Sequence, residues 1–186
     1  SKKIKLEIQK TLNDKKVGEI IREGYKIAIL GPTNSGKSSL LNYLSKRDVA
    51  IVSEIAGTTR DVIETHLNID GLPVVISDTA GIRESKDEIE NKGIKLALKK
   101  GEIADLNIIV IEPKSIDFKG FLESLSSQKS ILVINKLDLG IDNTDDFIKY
   151  NPIYISLKSE KNLDQLITAI KNKLKNQFIN SEDIII

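Results

Sequence analysis

The sequence predicts an α/β fold of three layers, in which a six-stranded, mostly parallel sheet with one antiparallel edge pair lies between two layers of helix. Three observations carry this. A strand, a glycine-rich loop and a helix follow one another directly over residues 25–44. Two β-rich runs flank Asp70-Gly71, and three later apolar runs are each followed by a polar, partly helical segment. Runs of that kind need long crossover connections, which is how parallel strands come to be covered by helices on both faces.

From Leu6 to Ile21 the apolar residues Ile8, Leu12, Val17 and Ile20 or Ile21 recur at helical spacing among charges, so this stretch reads as an amphipathic helix ahead of the main fold. Residues 1–22 are assigned to a helical segment of a neighbouring domain. Residues 23–177 form the main domain and 178–186 a truncated linker. Tyr25 to Leu30 is the first strand and Ser38 to Leu44 continues helically after the loop. Val62 to Ile69 and Leu72 to Ser77 are paired by Asp70-Gly71, which tolerates the positive φ angles of a tight hairpin. Leu106 to Ile111, Ser130 to Ile134 and Pro152 to Ile155 are the remaining strands, and the last helix runs from about Asn162 to Lys175.

Composition narrows the class. The chain has 186 residues, 28 Lys and Arg against 27 Asp and Glu, and a net charge of +1, so no bulk basic field draws it to nucleic acid or membrane. No apolar run reaches the roughly 18 residues of a membrane span, and the start Ser-Lys-Lys-Ile-Lys-Leu lacks a signal-peptide core, which makes the cytoplasm the expected setting. With no cysteine and one histidine, disulfides, thiolate zinc sites and a Cys nucleophile are excluded. The absence of Met, even at position 1, suggests a fragment.

The chemistry begins at Gly31-Pro32-Thr33-Asn34-Ser35-Gly36-Lys37-Ser38, which fits Gly-x-x-x-x-Gly-Lys-Ser between a predicted strand and helix. Glycines let successive N–H groups turn inward, and the helix that follows adds its positive end, so phosphates are the natural guest. The nucleotide-binding set here runs through Asn34, Ser35, Gly36, Lys37, Ser38 and Ser39. Lys37 is expected to reach β- and γ-phosphates and the Ser38 hydroxyl to ligate Mg²⁺. Asp78-Thr79-Ala80-Gly81 follows a strand on the same edge, so Asp78 is a second Mg²⁺ candidate, through water, and the Gly81 N–H can follow the γ-phosphate. Thr59, in the loop between these motifs, is the candidate for the second Mg²⁺ hydroxyl. These features make the domain a P-loop NTPase.

Asn135-Lys136-Leu137-Asp138 begins where the strand Ser130 to Ile134 ends and resembles the guanine-specificity motif of GTPases. Asp138 can accept two hydrogen bonds, from guanine N1–H and its amine, a donor pair that adenine lacks. Leaving such a carboxylate partly unpaired costs on the order of 1–3 kcal/mol, enough to disfavour ATP. Lys136 is placed along the base. Ser156-Leu157-Lys158 resembles the Ser-Ala-Lys loop whose backbone N–H meets guanine O6, with Leu157 in place of alanine.

With Asn34, Gly57-Thr58-Thr59-Arg60, Asp78-Thr79-Ala80-Gly81-Ile82-Arg83-Glu84, Asp87-Glu88-Ile89-Glu90 and Gly93-Ile94, the chain over residues 20–175 resembles the G domain of the MnmE (TrmE) family, in the TrmE-Era-EngA-type group. The relatives Der and Era share the earlier motifs; a partner-activated guanine-nucleotide switch in ribosome assembly is the alternative. The resemblance implies a potassium-dependent GTPase that binds GTP or GDP with Mg²⁺ and acts in tRNA wobble-uridine modification with an MnmG-like partner and tRNA. It implies a G-domain homodimer in the GTP and K⁺ state. It also implies K⁺ held by the Asn34 side chain and by residues of the first switch, Ser53, Ile55 and Thr58, with Glu90 positioning water. On that reading Glu90, Asn34 and Thr59 are the catalytic set, and Thr58 and Thr59 join the nucleotide site. Ile82 has no polar group to orient water where Ras-like proteins carry glutamine, a gap that K⁺ and Glu90 would fill. Pro32-Thr33 departs from the family's usual proline at the second of these positions. Arg60, Arg83 and His66 read as solvated or paired residues, His66 on the outer face of its strand.

Overall fold

Tyr25–Leu30, β1, reads Tyr-Lys-Ile-Ala-Ile-Leu and is buried at every position except Lys26. A strand covered on both faces has to be apolar almost continuously, and β4 (Leu106–Ile111) and β5 (Ser130–Ile134) follow the same rule. The computed structural model describes residues 4, 15–47, 64–78, 98–114, 129–140 and 145–182. Within these, α1 covers residues 15–23, α2 is Lys37–Arg47, β2 and β3 are Glu64–Ile69 and Leu72–Asp78, α3 covers 98–103, β6 is Ile153–Tyr154 and α4 is Leu163–Glu182.

The six strands form one sheet in the order β2-β3-β1-β4-β5-β6. The β2–β3 pair is antiparallel and every other pairing is parallel, as the sequence predicts. Side chains alternate across the central strands. Tyr25, Ile27 and Ile29 with Leu106, Ile108 and Val110 face α2 and α4, while Ala28, Leu30, Ile109 and Ile111 face Ala104 and Phe147 on the other side. These two cores make the three layers. The outer strands are modest: β2 alternates, with Leu67 and Ile69 buried and Asn68 exposed, and His66 lies on the outer face, 4.0 Å from Glu64. Short or polar edges of this kind resist pairing with another chain.

Several boundaries differ from those expected. β6 keeps only two residues because Pro152 brings no N–H to the ladder, although the Ile155 N–H still donates to the Ile134 carbonyl at 2.8 Å. Helix α4 continues to Glu182, so residues 178–182 are helical where a linker was expected. No Gly or Pro interrupts residues 163–182, and polar residues alone do not end a helix. In α1 it is Ile20 that is buried, in the same core as β1, and Ile21 that is exposed. Residues 15–23 therefore pack on this domain through Ile20.

Candidate nucleotide site

The parallel strands end along one edge, and there the predicted motifs meet. Residues 31–36 connect β1 to α2, with Gly31, Asn34 and Gly36 at φ values of 145°, 60° and 107°. Repeated left-handed residues turn the chain back on itself so that N–H groups point into a concave surface. Gly36 is required on a second ground: a Cβ there would overlap the Asn135 Nδ2 atom. Lys37 opens α2, and its ammonium lies over the loop, donating to the carbonyls of Gly31 at 2.9 Å and Pro32 at 2.6 Å. Ser38 and Ser39 are exposed in the first turn, whereas Ser35 is fully buried and its hydroxyl has no hydrogen-bond partner among the described residues. β3 delivers Asp78 to the same edge, in register with Ile29 of β1.

Asn135 holds the loops together. Buried after β5, it donates from Nδ2 to the Ser35 carbonyl at 2.9 Å and accepts from the Leu157 N–H at 3.1 Å. Its own N–H donates to the Ile111 carbonyl at 2.8 Å. One residue, through its side-chain amide and its backbone N–H, thus ties the phosphate loop, the end of β4 and the loop after β6 into a single body. Lys136 follows in the left-handed conformation, φ 64°, which starts the short 3₁₀ turn Leu137–Leu139 and leaves Asp138 exposed.

Asp138 is held in place from the third loop. The buried Ser156 hydroxyl donates to Asp138 Oδ1 at 2.6 Å and accepts from the Ser159 N–H at 3.2 Å. That hydrogen bond is the main reason the Asp138 carboxyl is held below the usual carboxylate range, with the charges of Lys158 and Lys136 adding to it. The loop is fixed by paired backbone bonds between Ser156 and Lys161. Leu157 points toward Gly36, so the larger side chain at the alanine position packs against the phosphate loop.

Ser53, Ile55, Thr58, Thr59, Gly81, Ile82 and Glu90 lie outside the described residues. Among those described, the edge brings together Asn34 to Ser39, Asn135 to Asp138 and Ser156 to Lys158. Two features were missed by sequence reasoning. One is the Ser156 side chain as the partner of Asp138. The other is Glu112, directly after β4, whose carboxylate meets Lys136 Nζ at 2.6 Å. Its place at a strand end on the ligand edge was the available signal.

Residues 26–136 match the family described as 50S ribosome-binding GTPase. The chain belongs to that GTPase family. Over its whole length it is 67% identical to the tRNA modification GTPase MnmE of Pelagibacter ubique, spanning 42% of that protein. It is 45% identical over 91% of its length to the MnmE of Rickettsia canadensis, spanning 39% of it. The crystal structure of Era in complex with MgGDPNP and a segment of 16S ribosomal RNA superposes with a TM-score of 0.54 at 31% identity, over 78% of this chain and 55% of that one. The sequence-predicted resemblance to MnmE G domains is thus found directly, and the chain is a GTPase domain built on the P-loop sheet.

Proposed function

We propose that the chain binds GTP and GDP with Mg²⁺, hydrolyses GTP with potassium stimulation, and serves a protein that modifies the wobble uridine of tRNA. The observation that carries the nucleotide reading is the Asn135 brace, which sets the phosphate loop and the Asp138 loop side by side at the strand ends. The similarity to tRNA modification GTPases over the full chain supports the biological setting.

Each group has a task on this reading. The loop N–H groups and Lys37 bind the phosphates, and Asp138, oriented by the Ser156 hydroxyl, selects guanine by accepting from the base's N–H donors. Ser38, exposed at the start of α2, and Asp78, at the end of β3, fit a hard oxygen-coordinated cation, with Thr59 completing that set. Asn34 is exposed in the loop, where its amide oxygen can face a monovalent cation together with Ser53, Ile55 and Thr58. Bound cations supply charge neutralisation to a phosphoryl-transfer transition state. Glu90 orients the attacking water, a task Ile82 cannot perform. The G domains pair across the nucleotide, and an MnmG-like protein and tRNA engage the longer protein in the cytoplasm.

GTP turnover in KCl against NaCl at fixed ionic strength tests this. Faster hydrolysis in K⁺, lost in Asn34→Ala while GTP still binds, is the expected result. Equal rates in both salts would favour a switch of the Der or Era type, activated by a partner protein.

A further inference from the structure

We propose that Glu112 is a positioning residue for guanine nucleotide, holding Lys136 in place through the ion pair between its Oε2 and Lys136 Nζ. This rests on the reading that Lys136 lies along the base. β4 lies between β1, which leads into the phosphate loop, and β5, which leads into the Asn135–Asp138 loop. Glu112 is the first residue after β4, so its carboxylate stands between the two halves of the site. The Asn135 N–H bond to Ile111 fixes the two strand ends against each other, and with them the spacing of Glu112 and Lys136.

The pair is 2.6 Å long and both side chains are about one-third exposed, 32% for Glu112 and 31% for Lys136. A contact in that position is less screened than a surface ion pair and stronger than a neutral hydrogen bond. Lysine loses much rotamer freedom when its stem is fixed. A pair made ahead of binding meets that cost in advance, so the stem presents a set surface to a planar ring. A second consequence follows from the partners. Asp138, two residues on, takes its hydrogen bond from Ser156, whereas the Lys136 ammonium is engaged by Glu112. The lysine is thereby kept from occupying the carboxylate that guanine needs.

The test is the dissociation rate of fluorescent GDP, chased with excess GDP, for Glu112→Gln, Glu112→Ala, Lys136→Met and the double variant Glu112→Ala with Lys136→Met. Circular dichroism melts establish that each is folded. Glu112→Ala should release GDP about five- to tenfold faster, the size of one net hydrogen bond expressed as a rate. Lys136→Met should act similarly, and the double variant should be no faster than the faster single one, because both act through one contact. Glu112→Gln, which keeps the shape and a weaker hydrogen bond, should fall between. A wild-type release rate in Glu112→Ala, or rate effects that multiply in the double variant, overturns the proposal. Failure of the unaltered chain to bind GDP would instead remove the guanine reading itself.

Discussion

Asn135 shows how one side chain can serve a ligand site by bracing it. Its amide satisfies a carbonyl in the phosphate loop, in a buried setting, and a half-buried N–H in the loop after β6. Asn135→Ala strands both groups, at about 1–3 kcal/mol each. Urea unfolding of the nucleotide-free protein should therefore lose roughly 2–6 kcal/mol, which a residue acting only on a ligand would not produce. Asp138 is a contrasting case, exposed and tuned by charge and hydrogen bonding. Its folded-state pKa lies below the ordinary value, chiefly through Ser156. What the ionised carboxylate contributes is then fully present above the usual range near 4 and is lost as pH falls through the lower folded value. Ser156→Ala should shift that loss upward in pH. Fluorescent GDP binding titrated from neutral to acid pH, compared with the unaltered chain, measures the shift.

The β2–β3 hairpin shows what the sequence makes legible in a single element. Asp70 and Gly71 have φ values of 52° and 86°, the turn expected of that pair, and the Asn68 side chain accepts the Gly71 N–H at 2.8 Å. Nothing among the described residues lies within 4 Å of a Cβ built on Gly71, so Gly71→Ala meets no clash with them and only the cost of a left-handed backbone. Thermal unfolding should show a loss of about 1 kcal/mol; a loss several times larger would mean that the turn is held by contacts rather than by dihedral preference. The interior strands were legible for a related reason, since burial on both faces writes itself as a nearly continuous apolar run in β1, β4 and β5. The phosphate loop was legible because its chemistry requires glycine and lysine at fixed local spacing. By contrast, the Glu112–Lys136 and Ser156–Asp138 contacts join residues 24 and 18 positions apart. They exist only because parallel strand ends are in register, which no local pattern records. The end of α4 and the 3₁₀ turn Asp145–Tyr150 escaped for the opposite reason, because weak local preferences there are settled by packing.

At the scale of the molecule the sheet has two ends with different tasks. The strand C-termini carry the nucleotide loops, and the other end receives α1. The Gly24 N–H closes α1 by donating to the Ile20 carbonyl at 2.8 Å, and β1 begins at once. Asp105, just before β4, accepts the Lys26 N–H at 3.0 Å and lies 3.7 Å from the Lys16 ammonium. Ile20, 3% exposed, enters the core shared by β1, β2, β3 and α4. A helix so fastened should unfold with the sheet. Ile20→Ala should then lower the unfolding free energy by about 2–4 kcal/mol, the usual cost of truncating a buried isoleucine. Because the site lies at the opposite end, GDP affinity measured well below the melting transition should stay at the unaltered value. Urea unfolding followed by circular dichroism, paired with a GDP titration on the same sample, reads both. An unchanged unfolding midpoint would mean that α1 contributes nothing to this core. Weakened GDP binding in a fully folded variant would mean that the two ends of the sheet are coupled.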